Sequence, residues 1–562
     1  MEFVSYDIES MDFRRAGAAS RNLKERLKLI GAEAEAIRRT MIAAYEAEMN
    51  VVIHSVGGRL EASLTDSQVD VNVVDTGPGI ADIEQAMAEG FSTANAEARA
   101  LGFGAGMGLP NIKKNSDRLR LTSHVGEGTR VSFTVRLRPG LTDGANPISL
   151  YASTDRCRDC RACLAACPTR AMRVRDGRPS VLEHLCVDCA ECISACTSRA
   201  LGMREEITSL DDLPERGDML LVVPPALLAG CGADYPPAHV LAALRELGFA
   251  DVLTTEPHEL ALRTAVAHAA TAAATAAASD AATETAPRPV IAPSCPAAVA
   301  LVELRFPSLV PHLAPFDSPW EAAQAACAGR PATFVVSCPS QRSALLAHAA
   351  AVPPAGAPHT EYVAPEVIRE AVMARLAGGS APTPAATRGA QATKPAPAAP
   401  AAPTAPTGEE GSEVLLTVTG AGHVAAVLEQ IEDGLLSDVN AVDPYMCAGG
   451  CFGSPLLFED HHVAALRWAR DPAAVDRTGK PGAVPRRRPF AARPGIRLDA
   501  NMGRAIEKLG RLQAVIDSLP GKDCGVCGAP TCAALAEDVV MERATVALCP
   551  YAQSGTKEDG DR

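Results

Sequence analysis

No apolar run in this chain of 562 residues approaches the roughly 18 that a membrane span requires. Clustered positive charge is missing too. The 53 Lys and Arg stand against 67 Asp and Glu, a formal net charge of −14, which argues against a nucleic-acid or anionic-membrane surface. The opening MEFVSYDIESMDFRRAG lacks the basic-then-apolar order of an export signal, so the expectation is a cytoplasmic protein with no membrane and no nucleic-acid partner. Cysteine is absent from residues 1–140 and dense afterwards. With no export signal, 18 cysteines at short spacings point to metal or redox chemistry rather than to disulfides. All but Cys231 and Cys327 fall into four sets of four, and those two are expected to be buried, inert thiols. Apolar residues make up 47% of the chain, enough for it to fold, and its length calls for about three to five domains.

The expected organisation is multidomain, α/β and α+β. Residues 1–140 read as one unit with helical stretches over 21–53 and strands at VDVNVVD (69–75) and RVSFTVRL (130–137). Residues 148–205 hold a cysteine ladder. Residues 215–470 read as α/β, with MLLVVPPALL and ATFVVSCPS as buried strands. An Ala/Thr-rich stretch (264–289) interrupts this part, as does a Pro/Ala-rich one (about 378–412) expected to be an extended, disordered linker. Residues 480–495 read as a basic connector, and 498–555 as a small cysteine-bearing domain.

The ladder is the most specific motif. CRDCRACLAACP (157–168) and CVDCAECISACT (186–197) are both C-x2-C-x2-C-x3-C. Three closely spaced thiolates cap three irons of one cubane, and the fourth, a helical turn on, serves the other cluster. This spacing resembles bacterial two-cluster ferredoxins. Cys157, Cys160, Cys163 and Cys196 are assigned to one [4Fe–4S] cluster, and Cys186, Cys189, Cys192 and Cys167 to the second. Thr197 stands where the second ladder would carry its proline, a position that ligates nothing. Structural zinc is the alternative, although zinc favours paired CxxC units.

Cys295 in IAPSCPAAV, Cys338 in FVVSCPSQR, and Cys447 and Cys451 in YMCAGGCFGSP are dispersed. In this order, after a two-cluster ladder, they resemble the catalytic domain of iron-only ([FeFe]) hydrogenases, together with VVPPALL, LAALRELGFADVL and LAPFDSP. The resemblance implies a cubane on Cys295, Cys338, Cys447 and Cys451, with Cys451 bridging to a di-iron subsite. Two positions depart from active members: Ser294 replaces a proton-relaying Cys, and Gln341 replaces a Lys that bonds a cyanide. The pattern is closer to the sensory, weakly active branch. A domain keeping only a cubane, or only its fold, is the other reading.

LPGKDCGVCGAPTCAALAEDVV and the later LCP supply Cys524, Cys527, Cys532 and Cys549. They resemble the single-cubane domain of corrinoid Fe–S proteins, with zinc again as the alternative. At the other end, AAYEAEMNVVIHS puts Glu46 and Asn50 on one helix face. DTGPGI (75–80) follows a strand, and GFGAGMGLPNIKK (102–114) is a glycine-rich loop entering a helix, suited to phosphates. With GEGTRVSF these resemble the GHKL ATPase fold, a sandwich, and especially the anti-sigma-factor serine kinases. The resemblance implies Mg²⁺ on Asn50, adenine on Asp75, a lid and phosphate loop shaped by Gly77, Gly79, Gly104, Gly106 and Gly108, Thr129 behind the adenine, and Glu46 as catalytic base. His54 is read as a packing residue.

The combination implies an iron–sulfur redox- or hydrogen-sensing regulatory protein with three cubanes, or four if the hydrogenase-like set is loaded, and ATP with Mg²⁺. Its partners would be a redox protein and a phosphoacceptor protein. A working iron-only hydrogenase, or an electron carrier with an inert hydrogenase-like scaffold, are the alternatives.

Overall fold

The computed structural model describes residues 2–65, 68–93, 106–137, 148–153, 155–203, 207–213, 216–277, 287–327, 329–350, 360–378, 415–436, 438–471, 481–493, 495 and 497–552. Gly104 and nearly all of the Pro/Ala-rich stretch lie outside the described residues. The chain divides into two compact units. One comprises Met1–Gly144, Met172–Arg175 and Ala492–Arg562; the other comprises Ala145–Ala171 and Asp176–Ala491.

The first unit begins with β1 (Glu2–Glu9), α1 (Ala18–Leu29), α2 (Ala34–His54), β2 (Gly57–Leu64), β3 (Gln68–Asp75), α3 (Ile83–Ala86), α4 (Gly108–Lys114), β4 (Arg118–His124) and β5 (Gly128–Arg136). The strands form one antiparallel sheet in the order β1-β2-β3-β5-β4. Two-residue alternation sets its faces: Val69, Val71 and Val73 are buried, and Val71 and Val73 pair with Phe133 and Val131. The helical stretches expected over 21–53 are two helices. Gly31, at φ 73°, turns the chain in the left-handed region, where a side chain is strained, and α2 starts afresh at Ala34.

The core of this sandwich does not stop at β5. Leu23, Leu27 and Ile30 from α1, Ala43, Ala47 and Val51 from α2, and the inner face of the sheet form one apolar cluster with residues of the C-terminal segment. Helix Met502–Ser518 contributes Met502, Ala505, Ile506, Leu509 and Leu512, a stripe at three- and four-residue spacing. Burying each large side chain of that stripe is worth about 1.5–3 kcal/mol of transfer free energy. Polar contacts fix its placement: Leu498 N donates to Leu29 O at 3.1 Å, and Arg26 Nη2 to Gln513 Oε1 at 2.8 Å. Helix Cys532–Val540 adds Ala534, Leu535 and Val540 to the same cluster.

In the second unit, four strands run parallel in the spatial order Asp251–Thr254, Leu220–Val223, Ala332–Val335, Thr360–Val363. A second parallel sheet orders Val290–Ile291, Ala441–Tyr445 and Leu415–Thr419. The two central strands of the first of these sheets, Leu220–Val223 and Ala332–Val335, are buried along their whole length, as strands covered on both faces require. The Ala/Thr-rich stretch is not an interruption over 264–277. It continues helix Glu256–Ala277, buried at Val266, Ala270 and Ala273, a spacing of four then three. The segment expected as a connector packs into this unit: Phe316 bridges Pro485, and Arg486 Nη1 meets Glu321 Oε2 at 2.5 Å.

Candidate nucleotide and cluster sites

Helix α2 carries Glu46, Asn50 and His54 along one face, and together with β3, α3 and α4 it encloses a cavity of about 750 Å³. Asp75, Gly79, Gly106, Gly108 and Thr129 line it as well. Asp75 ends β3 and is held by two donors, Gly77 N at 2.7 Å and Ser55 Oγ at 3.1 Å, so its carboxylate has a fixed orientation. Thr129 Oγ1 and Ser123 Oγ lie 2.9 Å apart, and Ser123 Oγ also receives Ile80 N at 2.7 Å. Gly108 opens α4 so close to α2 that a Cβ there would sit 3.1 Å from Asn50 Oδ1 and 3.4 Å from Glu46 Oε2. The structure thus places Glu46, Asn50, Asp75, Gly79, Gly106, Gly108 and Thr129 around one cavity, while Gly77 does not line it and acts only through its N–H on Asp75. His54 lines it rather than packing away from it; its ring faces Thr93 Oγ1 at 3.4 Å, and burial lowers its pKa against the pull of Asp75. Asn111, not singled out from sequence, donates from Nδ2 to Glu46 Oε1 at 2.6 Å.

The two ladders adopt the same local backbone. Asp159 and Arg161 in the first, and Asp188 and Ala190 in the second, take the left-handed conformation at equivalent positions. Ala171 N donates to Cys167 Sγ and Ala200 N to Cys196 Sγ, both at 3.2 Å, again at equivalent places. Thiol neighbours are exchanged between ladders. Burial pushes Cys163 up to about 11, and Cys196, Cys160 and Cys157 push the same way. Burial likewise raises Cys189, with Cys167, Cys192 and Cys186 adding to it. Each of these two thiols thus has a neighbour from the other ladder.

The dispersed set converges at the carboxyl ends of parallel strands, where open α/β sheets place their ligands. Cys295 follows Val290–Ile291 and caps helix Pro296–Arg305; Cys338 follows Ala332–Val335; Cys447 and Cys451 follow Ala441–Tyr445. Burial raises Cys451, and Glu259, Cys295, Cys338 and Cys447 add to the shift. The two departures have definite partners. Ser294 bonds to the buried Asp443, which also receives Arg263 Nε at 3.1 Å. Gln341 Oε1 accepts from Ser337 N at 2.8 Å and Ser337 Oγ at 3.0 Å. Cys189 of the second ladder packs against the same apolar cluster as Cys295, and Glu191 adds to the upward shift of Cys447. One crossed quartet therefore adjoins the dispersed set. Cys231 and Cys327 are buried, each pushed up to about 11 by burial.

In the C-terminal segment, burial raises Cys527, with Cys549 and Cys524 adding to it, and Cys532 opens helix Cys532–Val540 with its N–H on Asp523 Oδ1 at 2.6 Å. Met172–Arg175, lying in sequence between Cys167 and Cys186, belongs to this unit. Val174 N donates to Gly528 O at 3.0 Å, and the buried Arg173 and half-buried Arg175 meet buried Asp538 at 2.5 and 2.6 Å. Among the described residues no group of three or more His, Cys, Asp or Glu side chains stands ready to hold a metal ion.

Four family models match the chain. The histidine kinase-, DNA gyrase B- and HSP90-like ATPase model matches residues 36–139, and the 4Fe-4S dicluster domain matches 149–197. The C-terminal domain of the large subunit of iron only hydrogenase matches 219–330, and an Fe-S cluster domain matches 519–551. The hydrogenase match includes Cys295 but ends before Cys338, Cys447 and Cys451. An anti-sigma F factor of Caldanaerobacter subterraneus subsp. tengcongensis is 33% identical over 103 residues, 18% of this chain and 64% of that protein. The serine/threonine-protein kinase RsbT of Bacillus subtilis is 42% identical over 64 residues, 11% of this chain and 42% of its own. The chain thus spans less than two thirds of the length of these relatives. An [FeFe]-hydrogenase of Chlamydomonas reinhardtii aligns at 15% identity and a TM-score of 0.31, covering 54% of this chain and 91% of the other. The chain is a mixed α/β protein combining a GHKL-type ATPase domain, ferredoxin-like and C-terminal Fe–S domains and an iron-hydrogenase-like domain.

Proposed function

We propose that the protein is a redox-responsive regulatory ATPase. The Fe–S array and hydrogenase-like domain take up the signal, and the ATP-binding domain passes it to a partner protein by phosphorylating a Ser or Thr or by sequestering that partner. Likeness to anti-sigma F factors and RsbT supports the output half. One observation carries the link: the cysteine-bearing C-terminal segment and the ATPase sandwich share a single hydrophobic core. A cluster that orders Cys524–Cys549 therefore acts on the packing that positions α1 and α2, and α2 carries Glu46 and Asn50.

In this reading Cys524, Cys527, Cys532 and Cys549 hold the cubane of that segment, and the crossed ladder quartets and the dispersed set hold the others. Bound clusters supply one-electron redox chemistry. Asn50 holds Mg²⁺, Asp75 receives the adenine amino group, and Glu46 is the base.

The test is Mg-ATP affinity of the full chain, purified without oxygen, measured by calorimetry in the oxidised and dithionite-reduced states. A difference of about threefold or more is expected, and RT ln 3 is only about 0.65 kcal/mol, within reach of a modest packing change. Equal affinities and equal ATP turnover in the two states would sink the link.

A further inference from the structure

The geometry points to Asn111 as the positioning residue for Glu46. This rests on the base role proposed above and goes beyond it, because Asn111, although it lies within the stretch 102–114, is neither one of the glycines of that stretch nor an acidic residue. Its side-chain amide donates to Glu46 Oε1 at 2.6 Å, across 65 residues of sequence. Helix α4 is short, but its setting is fixed by one buried side chain and a closed first turn. Ile112 is fully buried in the sandwich core, and Asn111 N donates to Met107 O at 2.8 Å. With Ile112 facing inward, the preceding residue is held toward α2.

An amide donor on one carboxylate oxygen does two things. It fixes the plane of the carboxylate, and it leaves the other oxygen as the acceptor. Glu46 Oε2 is the atom beside Gly108, on the side of the cavity where α4 begins. In the step assigned to this site, that oxygen takes the proton from a hydroxyl of the partner or from water. The hydroxyl oxygen forms a bond to the γ-phosphorus, and the bond from that phosphorus to the β–γ bridging oxygen breaks. ADP leaves with the electron pair, and Glu46 later returns its proton to solvent. Asn111 touches neither nucleotide nor acceptor in this scheme; it acts through Glu46 alone.

A double-mutant cycle with the full chain and Mg-ATP tests this. Asn111→Ala should lower kcat roughly tenfold, a fraction of the 10²–10⁴ that a general base supplies, while KM for ATP stays within about twofold. In the Glu46→Gln background the same change should have no further effect on kcat, because nothing remains to be positioned. Asn111→Gln, which keeps the amide, should recover part of the loss. Thermal midpoints of all four cycle members report folding independently. Additive losses in the cycle, or a KM rise without a kcat fall, would overturn the inference. So would a wild type that binds Mg-ATP without turning it over, since Glu46 would then have no base role. The redox link proposed above fails on a different measurement, equal behaviour in the two redox states.

Discussion

At the scale of single residues, the sequence displays short-range geometry well and long-range geometry hardly at all. Glu46 and Asn50 are four apart on a helix, so their common face is readable without a fold, and both line the cavity. Asn111 cannot be found that way, because its bond to Glu46 depends on how α4 is laid against α2. His54 shows the limit from the other side. Helical spacing puts it on the Asn50 face, but whether that face meets core or cavity is decided by the chain from Gly77 onward. The consequence is measurable. Burial lowers the folded pKa of His54 below its ordinary 6.5. Between 6.5 and that lower value the unfolded chain binds the extra proton, so stability declines as pH falls through this window and flattens below the folded pKa. Wild type is expected to lose more stability than His54→Gln between pH 7.5 and 5.5 in denaturant titrations. Parallel curves would remove His54 as the cause.

At the scale of elements, periodicity marked the strands that are half-buried. β3 and β5 alternate residue by residue and stand where the pattern put them. Composition misled over 264–277, where Ala and Thr conceal a helical stripe made, among the described residues, by Val266, Ala270 and Ala273. The docking of Met172–Arg175 on the C-terminal segment was also hidden, because Gly528, Asp538 and Arg543 lie more than 350 positions away. Its chief contact is ionic and dry: Arg173 is 3% exposed and Asp538 1%. Removing one partner of such a pair strands a buried charge. Asp538→Ala is therefore expected to destabilise the first unit by about 3–5 kcal/mol, whereas replacing Asp538 and Arg173 together by leucines should restore much of that. Chemical denaturation of the two variants checks the order, and an equal loss in both would mean that packing, not charge, dominates.

At the scale of the whole molecule, the motifs gave the inventory of cofactors but not the way the parts are joined. Nothing in the periodicity of helix Met502–Ser518 says which apolar face it covers. Its stripe announces only that some face must exist. The hydrogenase-like part presents the reverse case: its four thiols come together, while the groups at the two departing positions are engaged elsewhere, Ser294 with Asp443 and Gln341 with Ser337. Neither supplies a mobile thiol or a cation. The expectation is about 16 iron per chain, four cubanes, with hydrogen turnover slow or absent and raised by Ser294→Cys when the maturation proteins are co-expressed. Iron analysis with infrared spectroscopy decides it. About 18 iron with carbonyl and cyanide bands and rapid turnover in wild type would make the protein a working hydrogenase.

The shared core also has a consequence for biosynthesis. Helix Met502–Ser518 leaves the ribosome only after the ladder and dispersed cysteines have done so. Until then Leu23, Leu27 and the inner sheet lack part of their apolar cover. The nascent ATPase region therefore reaches its final packing last, after three of the four cysteine sets are available for cluster insertion. A chain released before Met502 is therefore expected to carry its ATPase sandwich without that part of its apolar cover.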